Sequence, residues 1–192
     1  ACLGIGSATI GFNDDSLNDS LKEVLFKDNC IASQSAAIAI GLNSTGNNNS
    51  PIAREMLEYA HQTKHEKIVR GIVIGVALTC LSAQDKCDPL INEMLSDENE
   101  IIRYGGCFAL GLAFAGNEDM AALKKLLEIA AGDISGDVRR AAIMSIAFVL
   151  CRVPKKVPGF VRLFAESFNP HSRYGAAMAI GIACAGTSMD VF

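Results

Sequence analysis

The stretch Ala176–Gly186, AAMAIGIACAG, decides the fold, because a version of it returns six times along the chain. With Gly181 as position zero, its counterparts are Gly6, Gly41, Ala77, Gly111 and Ala147, at successive spacings of 35, 36, 34, 36 and 34 residues. A second small residue lies two places earlier (Gly4, Ala39, Gly75, Ala109, Ser145, Ala179). A branched aliphatic sits between the two (Ile5, Ile40, Val76, Leu110, Ile146, Ile180). Five places after zero comes a closing residue: Gly11, Gly46, Ser82, Gly116, Arg152 and Gly186. Four of these closers are Gly, which reaches the left-handed conformation that ends helices without steric cost. A period of about 35 residues is the mark of a solenoid of repeated supersecondary units.

Each repeat opens on a helix, here called A, that is apolar or small on nearly every face, as in 101–115. Such a helix is buried between neighbours. A polar link follows (13–16, 47–50, 117–119), and then an amphipathic helix, B. Its apolar stripe is Leu17, Leu21, Val24 and Leu25 in the first repeat and Ile52, Met56 and Tyr59 in the second. It is Leu90, Met94 and Leu95 in the third, Leu123, Leu126, Leu127 and Ala130 in the fourth, and Phe160, Leu163 and Phe164 in the fifth. One such face covers A while the charged face meets water. Ser50–Pro51 and Asp88–Pro89 read as caps opening B helices, and Asn169–Pro170 as the cap of the last A helix. Ile72–Leu78 is β-branched enough to imitate a strand, but its place in the period makes it helical.

The expected architecture is therefore all-α, an α-solenoid of tandem helix-pair repeats forming an arc of a toroid. It is read as a single repeat domain over 1–192, with repeats at 1–29 (partial), 30–66, 67–99, 100–135, 136–168 and 169–192 (partial). Ala1 already falls inside a repeat core and Phe192 follows closely on the last A helix, so the sequence reads as a fragment of a longer repeat protein.

Composition narrows the function. The 192 residues are 50% hydrophobic and 20% charged with a net charge of −4, a balance that speaks against disorder and against nucleic-acid binding. Arg139–Arg140 and Lys155–Lys156 are too few and too isolated to alter that. No apolar run approaches the roughly 18 residues that span a bilayer, and no membrane association is expected. Seven cysteines without a CxxC read as free buried thiols in a reducing compartment, which leaves the sequons at Asn18, Asn43 and Asn48 unused.

Catalytic patterns fail one by one. Gly4-x-Gly6-x-x-Thr9 lacks the third glycine and the preceding strand of a dinucleotide fingerprint. His61 and His65 stand at i and i+4, but Gln62 occupies the place of the zinc-protease Glu, and they read as a solvated helix end. Cys87, the one thiol outside an apolar run, has no evident base. No catalytic, cofactor-binding or metal-binding residue is assigned, and the chain is read as a non-enzyme. Arg70, Arg103, Arg139 and Arg173 recur in the first turns of A helices, where a cation opposes the helix dipole. Glu66, Glu100 and Asp137 precede the first three by two to four residues, which points to an ion-pair ladder along one rim. The four arginines are also the candidate rim contacts for a partner.

The small–aliphatic–small pattern with its closing Gly resembles the proteasome/cyclosome repeat over the whole chain. Three stretches carry the resemblance further, toward the larger repeat-bearing scaffold class of the 26S proteasome regulatory particle: Thr63–Gly71, Asp137–Leu150 and Ser167–Thr187. This resemblance implies a ring-shaped solenoid of inner and outer helices, acting as a non-catalytic scaffold in the base of the particle for ubiquitin-dependent degradation. Its implied partners are other regulatory-particle subunits, its implied location is cytoplasm and nucleus, and no cofactor is implied. Self-association through exposed repeat ends is a further expectation. The sister scaffold and the large subunit of the anaphase-promoting complex share the repeat. A helical-repeat di-iron hydroxylase would need several His-Glu doublets, where this chain has His65–Glu66 alone. Direct ubiquitin binding by this stretch is not expected.

Overall fold

In a computed structural model the described residues, 1–47 and 51–187, form helices and turns with no strand among them. The inner (A) helices are α1 (Cys2–Ala8), α3 (Cys30–Asn43), α5 (Glu66–Thr79), α7 (Glu100–Ala113), α9 (Gly136–Val149) and α11 (Pro170–Cys184). The outer (B) helices are α2 (Asp15–Leu25), α4 (Pro51–Gln62), α6 (Asp88–Leu95), α8 (Met120–Gly132) and α10 (Val157–Ala165). Each inner helix packs on the next inner helix, so the chain is an α-solenoid. Ile72–Leu78 lies inside α5, as its place in the period requires. Each outer helix covers chiefly the inner helix that follows it, α2 on α3 through α10 on α11, rather than the A helix of its own repeat.

The outer stripes are buried largely as the spacing implies. Leu21, Leu25, Ile52, Met56, Met94, Leu123, Leu126 and Ala130 are all in the core. The fifth stripe is different: Leu163 is 81% exposed, and Val157 and Val161 fill its place at 0%. A three-residue 3-10 turn, Pro154–Lys156, precedes α10, and Val157 and Val161 stand where the third repeat has the buried Cys87 and Ile91. Helix starts also divide. Asn169 caps α11 by accepting the His171 N–H at 2.8 Å. Asp88, expected as a cap, is instead the first residue of α6, because a 3-10 turn at Gln84–Cys87 leads directly into it. Ser50 and the sequon at Asn48 lie outside the described residues. Asn18 and Asn43 are buried at 5% and 0%, and the Asn43 Nδ2 donates to Asn18 Oδ1 at 2.9 Å, so neither is open to glycosylation.

The closing residues make a device that the sequence shows only in part. Gly11, Gly46, Gly116 and Gly186 have φ of 73°, 80°, 69° and 73°, and Ser82 joins them at 58°, whereas Arg152 does not. Two residues further on, Asn13, Gln84 and Glu118 are left-handed as well. This double reversal points loop N–H groups at the next inner helix. Gly11 donates to Leu42 O and Asn13 to Asn43 O, Ser82 to Leu112 O, Gly116 to Phe148 O and Glu118 to Val149 O, at 2.9–3.3 Å. Last-turn carbonyls, which lack the regular helical partner four residues on, thus gain a donor from the preceding repeat. Gly46→Ala adds a Cβ that meets nothing within 4 Å, so only the backbone is strained. It is expected to cost about 1 kcal/mol in chemical denaturation, as an L-residue held at positive φ does.

Candidate functional site

Five of the six zero positions lie along the seam between inner helices. A Cβ built on Gly6 would fall 2.6 Å from Ala39 Cα, one on Gly41 2.3 Å from Gly75 O, and one on Gly111 2.7 Å from Ser145 Cβ. In these three repeats position zero therefore rests on position −2 of the next. Ala77 and Ala147, with one carbon more, are buried at 1% and 0%. Gly181 and Gly4 meet nothing, since each faces outward at an end of the stack.

The second recurrent structure is the corner from an outer to an inner helix. Fourteen places before zero, Thr63, Asp97, Asp133 and Ser167 each accept, through a side-chain oxygen, the N–H of the residue two further on. Asn29, Asn99 and Asn169, twelve before zero, then cap the inner helix. Eight before zero stand three of the four rim arginines. Arg103 donates to Asp97 O and Glu98 O, both at 2.9 Å, and Arg173 to Ser167 O and Phe168 O at 2.8 and 2.9 Å. Arg139 makes only a 3.5 Å contact, to Ile134 O. Each guanidinium thus props its own corner from inside the turn, which offsets its opposition to the helix dipole.

Arg70 belongs to a different row. It lies seven before zero, and Val69, buried at 4%, fills the arginine's place in the third repeat. At position −7 the residues are Gln34, Arg70, Tyr104, Arg140 and Tyr174. Arg70 lies over the Tyr104 ring at 5.9 Å and Arg140 over Tyr174 at 5.6 Å, an alternating cation–π row across the inner surface. The carboxylate partners also differ from those the spacing implies. Asp133, not Glu100, pairs with Arg103 at 2.9 Å. Asp137 gathers Arg140 at 3.1 Å, His171 at 3.5 Å and Arg70 at 3.7 Å, the last reaching past α7 from α5 to α9.

All three histidines make links of the same kind. His61 meets Asp97 at 2.8 Å, His65 meets Asp28 at 3.4 Å, and His171 meets Asp137. Asp28 also accepts the Tyr59 and Thr63 hydroxyls at 3.0 and 2.9 Å. The hydrogen bond to Asp97 raises the His61 pKa, with burial opposing it. A raised folded value means that the link contributes fully below the unfolded value of about 6.5 and is lost as pH rises through the folded one. The melting temperature is therefore expected to fall slightly between pH 6 and pH 8, and His61→Gln is expected to flatten that slope. Among the described residues, no group of three His, Cys, Asp or Glu side chains is arranged to hold a metal ion. Cys80, Cys87 and Cys107 are buried, whereas Cys151 is exposed, against the expectation of burial.

Residues 105–138 match the profile of the proteasome/cyclosome repeat. The chain is 47% identical to 26S proteasome non-ATPase regulatory subunit 1 homolog B of Arabidopsis thaliana, over 99% of this chain and 19% of the relative. It is 43% identical to 26S proteasome non-ATPase regulatory subunit 1 of Drosophila melanogaster, over 98% and 18%. With 26S proteasome regulatory subunit rpn2 of Schizosaccharomyces pombe it shares 41%, over 98% and 20%. The chain thus resembles the proteasome/cyclosome-repeat subunits over nearly all of its own length. It spans about a fifth of the length of these relatives.

The matched proteasome/cyclosome repeat runs from within α7, through α8, to the first turn of α9, so it contains one seam glycine, one double reversal and one corner. The corners of successive repeats line one rim of the solenoid. There, thirteen before zero, Ile134 is 94% exposed and Phe168 is fully exposed, on neighbouring corners. Two large apolar side chains set in water one repeat apart are the feature of this rim that intramolecular packing does not account for.

Proposed function

We propose that this chain is a non-catalytic scaffold segment of the 26S proteasome regulatory particle base, which arranges other subunits for ubiquitin-dependent degradation. The observation that carries the reading is identity of 41–47% extending over 98–99% of the chain to proteins named as regulatory subunits of that particle. The residue chemistry supports it. The polar side chains that recur (the corner oxygens, the arginines and the Asp-linked histidines) join one repeat to the next, and the relatives' names speak for the proteasome scaffold over the anaphase-promoting-complex subunit. Against the di-iron hydroxylase, His65 of the lone His-Glu doublet is engaged with Asp28.

In this reading the partners are other regulatory-particle subunits, the compartments are cytoplasm and nucleus, and the solenoid is an arc of a larger ring of repeats. The repeat boundaries given by the sequence period are part of the same proposal, as is the absence of nucleic-acid and membrane partners. No helix among the described residues is long and apolar enough to cross a membrane. The rim is the proposed docking edge: Arg103, Arg139 and Arg173 hold the corners, and Ile134 and Phe168 supply the apolar contact. End faces around Gly4 and Gly181, with Leu3, Ile5 and Met178 partly exposed, would also allow copies of this stretch to associate.

The test is retention of purified regulatory-particle base subunits on the immobilised chain, compared with the double variant Ile134→Ser, Phe168→Ser. The wild type is expected to retain them, and the variant to lose about tenfold or more in affinity, as removal of central apolar anchors does. Equal retention by both would overturn the rim as docking edge. Retention by neither, while a full-length relative retains them, would overturn docking through this stretch.

A further inference from the structure

The arginines at position −8 are not equally served. Arg103 is held from the corner ahead, its Nε and Nη2 donating to Asp133 Oδ2 and Oδ1 at 2.9 and 3.2 Å. Arg139, its counterpart one repeat on, makes no ion pair among the described residues, and its Nε is buried without a hydrogen-bond partner. Its charge acts on Asp133 of its own corner only through space. Arg103 stands in that same relation to Asp97, so what Arg139 lacks is the partner from the corner ahead. The residue at that place is Ser167. Asp133 and Ser167 both lie fourteen before zero and make the same turn, Asp133 Oδ1 accepting the Ser135 N–H at 2.8 Å and Ser167 Oγ the Asn169 N–H at 3.2 Å. α11 packs on α9 as α9 packs on α7. The repeat therefore brings Ser167 toward Arg139 as it brings Asp133 to Arg103, but the one serine oxygen is engaged in its turn and carries no charge. Thr63, the other hydroxyl at −14, has no such cation behind it: the −8 place there is Ser33, and Thr63 donates to Asp28 at 2.9 Å.

We propose that Ser167 is a phosphorylation site, whose phosphate supplies the anion that Arg139 lacks. The donor is ATP, through a serine/threonine kinase. The Ser167 Oγ attacks the γ-phosphorus while its proton passes to the kinase base; the Oγ–P bond forms, the bond to the bridging oxygen breaks, and ADP leaves. The product keeps Oγ in the turn and adds three acceptor oxygens with a charge of about −1.5 to −2 at pH 7, which suits charge-assisted bonds to a guanidinium. Arg173 is a second cation beside it: it donates to Ser167 O and Phe168 O at 2.8 and 2.9 Å and has no carboxylate partner among the described residues. The adjacent carboxylate, Glu166, is drawn to Arg162 at 3.7 Å. Ser167 itself is half-buried in the corner between α10 and α11, with the exposed Glu166 before it and the fully exposed Phe168 after it, so the segment is open to an enzyme. Phosphorylation ties α9 to the corner ahead of it, as Asp133 ties α7.

Trypsin releases Ser167 in peptide 163–173, which also holds Ser172, buried at 3%. The folded 192-residue chain is incubated with ATP and an extract of Schizosaccharomyces pombe, the source of one relative. Fragmentation of that peptide in the mass spectrometer is expected to place a phosphate on Ser167 and none on Ser172. The chain is also made with phosphoserine built in at position 167. The second pKa of a free phosphoserine is about 6. A guanidinium favours the dianion, so phosphorus NMR is expected to read a value about one unit lower in the folded chain. Unfolding in urea is expected to return it to about 6, a comparison that needs no variant to fold. Arg139→Gln, checked for folding by circular dichroism, is expected to remove most of the shift. An extract that leaves Ser167 unmodified, a phosphate that titrates alike folded and unfolded, or a shift that survives Arg139→Gln would overturn the proposal.

Discussion

Gly41→Leu is expected to destabilise the chain by about 3 kcal/mol or more, at the upper end of what overpacking costs. The added Cβ would stand 2.3 Å from Gly75 O and 2.4 Å from Gly75 Cα. Both are backbone atoms, so no rotamer change relieves the clash, and α3 and α5 must separate. Gly111→Leu meets a side chain first, Ser145 Cβ at 2.7 Å, and is expected to cost less, about 1–3 kcal/mol. Gly181→Leu meets nothing within 4 Å and is expected to change stability by under about 0.5 kcal/mol. Urea denaturation of the three variants orders them. A Gly41→Leu chain that unfolds with the wild type would mean that the inner helices are not in this contact in solution.

The second large effect falls on Arg103. Its side chain, 19% exposed, ties Asp133, 12% exposed, to two carbonyls of the preceding corner. Arg103→Ala leaves a mostly buried carboxylate without its cation, and about 3 kcal/mol is expected to be lost. The pH dependence separates this from lost packing. In the wild type, burial pushes the Asp133 pKa up, but the Arg103 hydrogen bond and the Ser135 N–H outweigh it, and the folded value lies below the ordinary 3.8. A depressed folded value contributes stability that is present above the unfolded pKa and lost as pH falls through the folded one. Without Arg103 the balance shifts toward burial, so stability is expected to begin falling at a higher pH than in the wild type. Arg103→Lys is expected to restore part of the acid stability but not the paired corner bonds, since an ammonium lacks the planar fork.

Much of this was legible in the sequence because the seam is made of small residues. Two backbones approach closely only where side chains are absent, so Gly41 facing Gly75 and Gly111 facing Ser145 leave a mark at a fixed period. The all-α solenoid and the stripes of four outer helices follow from the same regularity. What was not legible depends on direction within a turn. Arg70 and Arg103 both lie in a first turn, but one position of offset, about 100° around a helix, sends Arg70 to the inner surface and Arg103 into its corner. Their acidic partners lie in other elements, Asp137 and Asp133, and local spacing cannot name them. The double reversal was half visible: glycine announces a positive φ, but Asn13, Gln84 and Glu118 adopt one without that signal. Leu163 and Asp88 were misplaced in the two repeats whose outer helix is preceded by a 3-10 turn, which composition does not announce.

The loop N–H groups that pair with Leu42, Leu112 and Phe148 give the solenoid a sense of time as well as of space. Each belongs to residues made before the helix whose end it completes. A polypeptide leaving the ribosome therefore offers α3, α7 and α9 a finished surface and waiting hydrogen-bond donors, so that the stack lengthens there one repeat at a time.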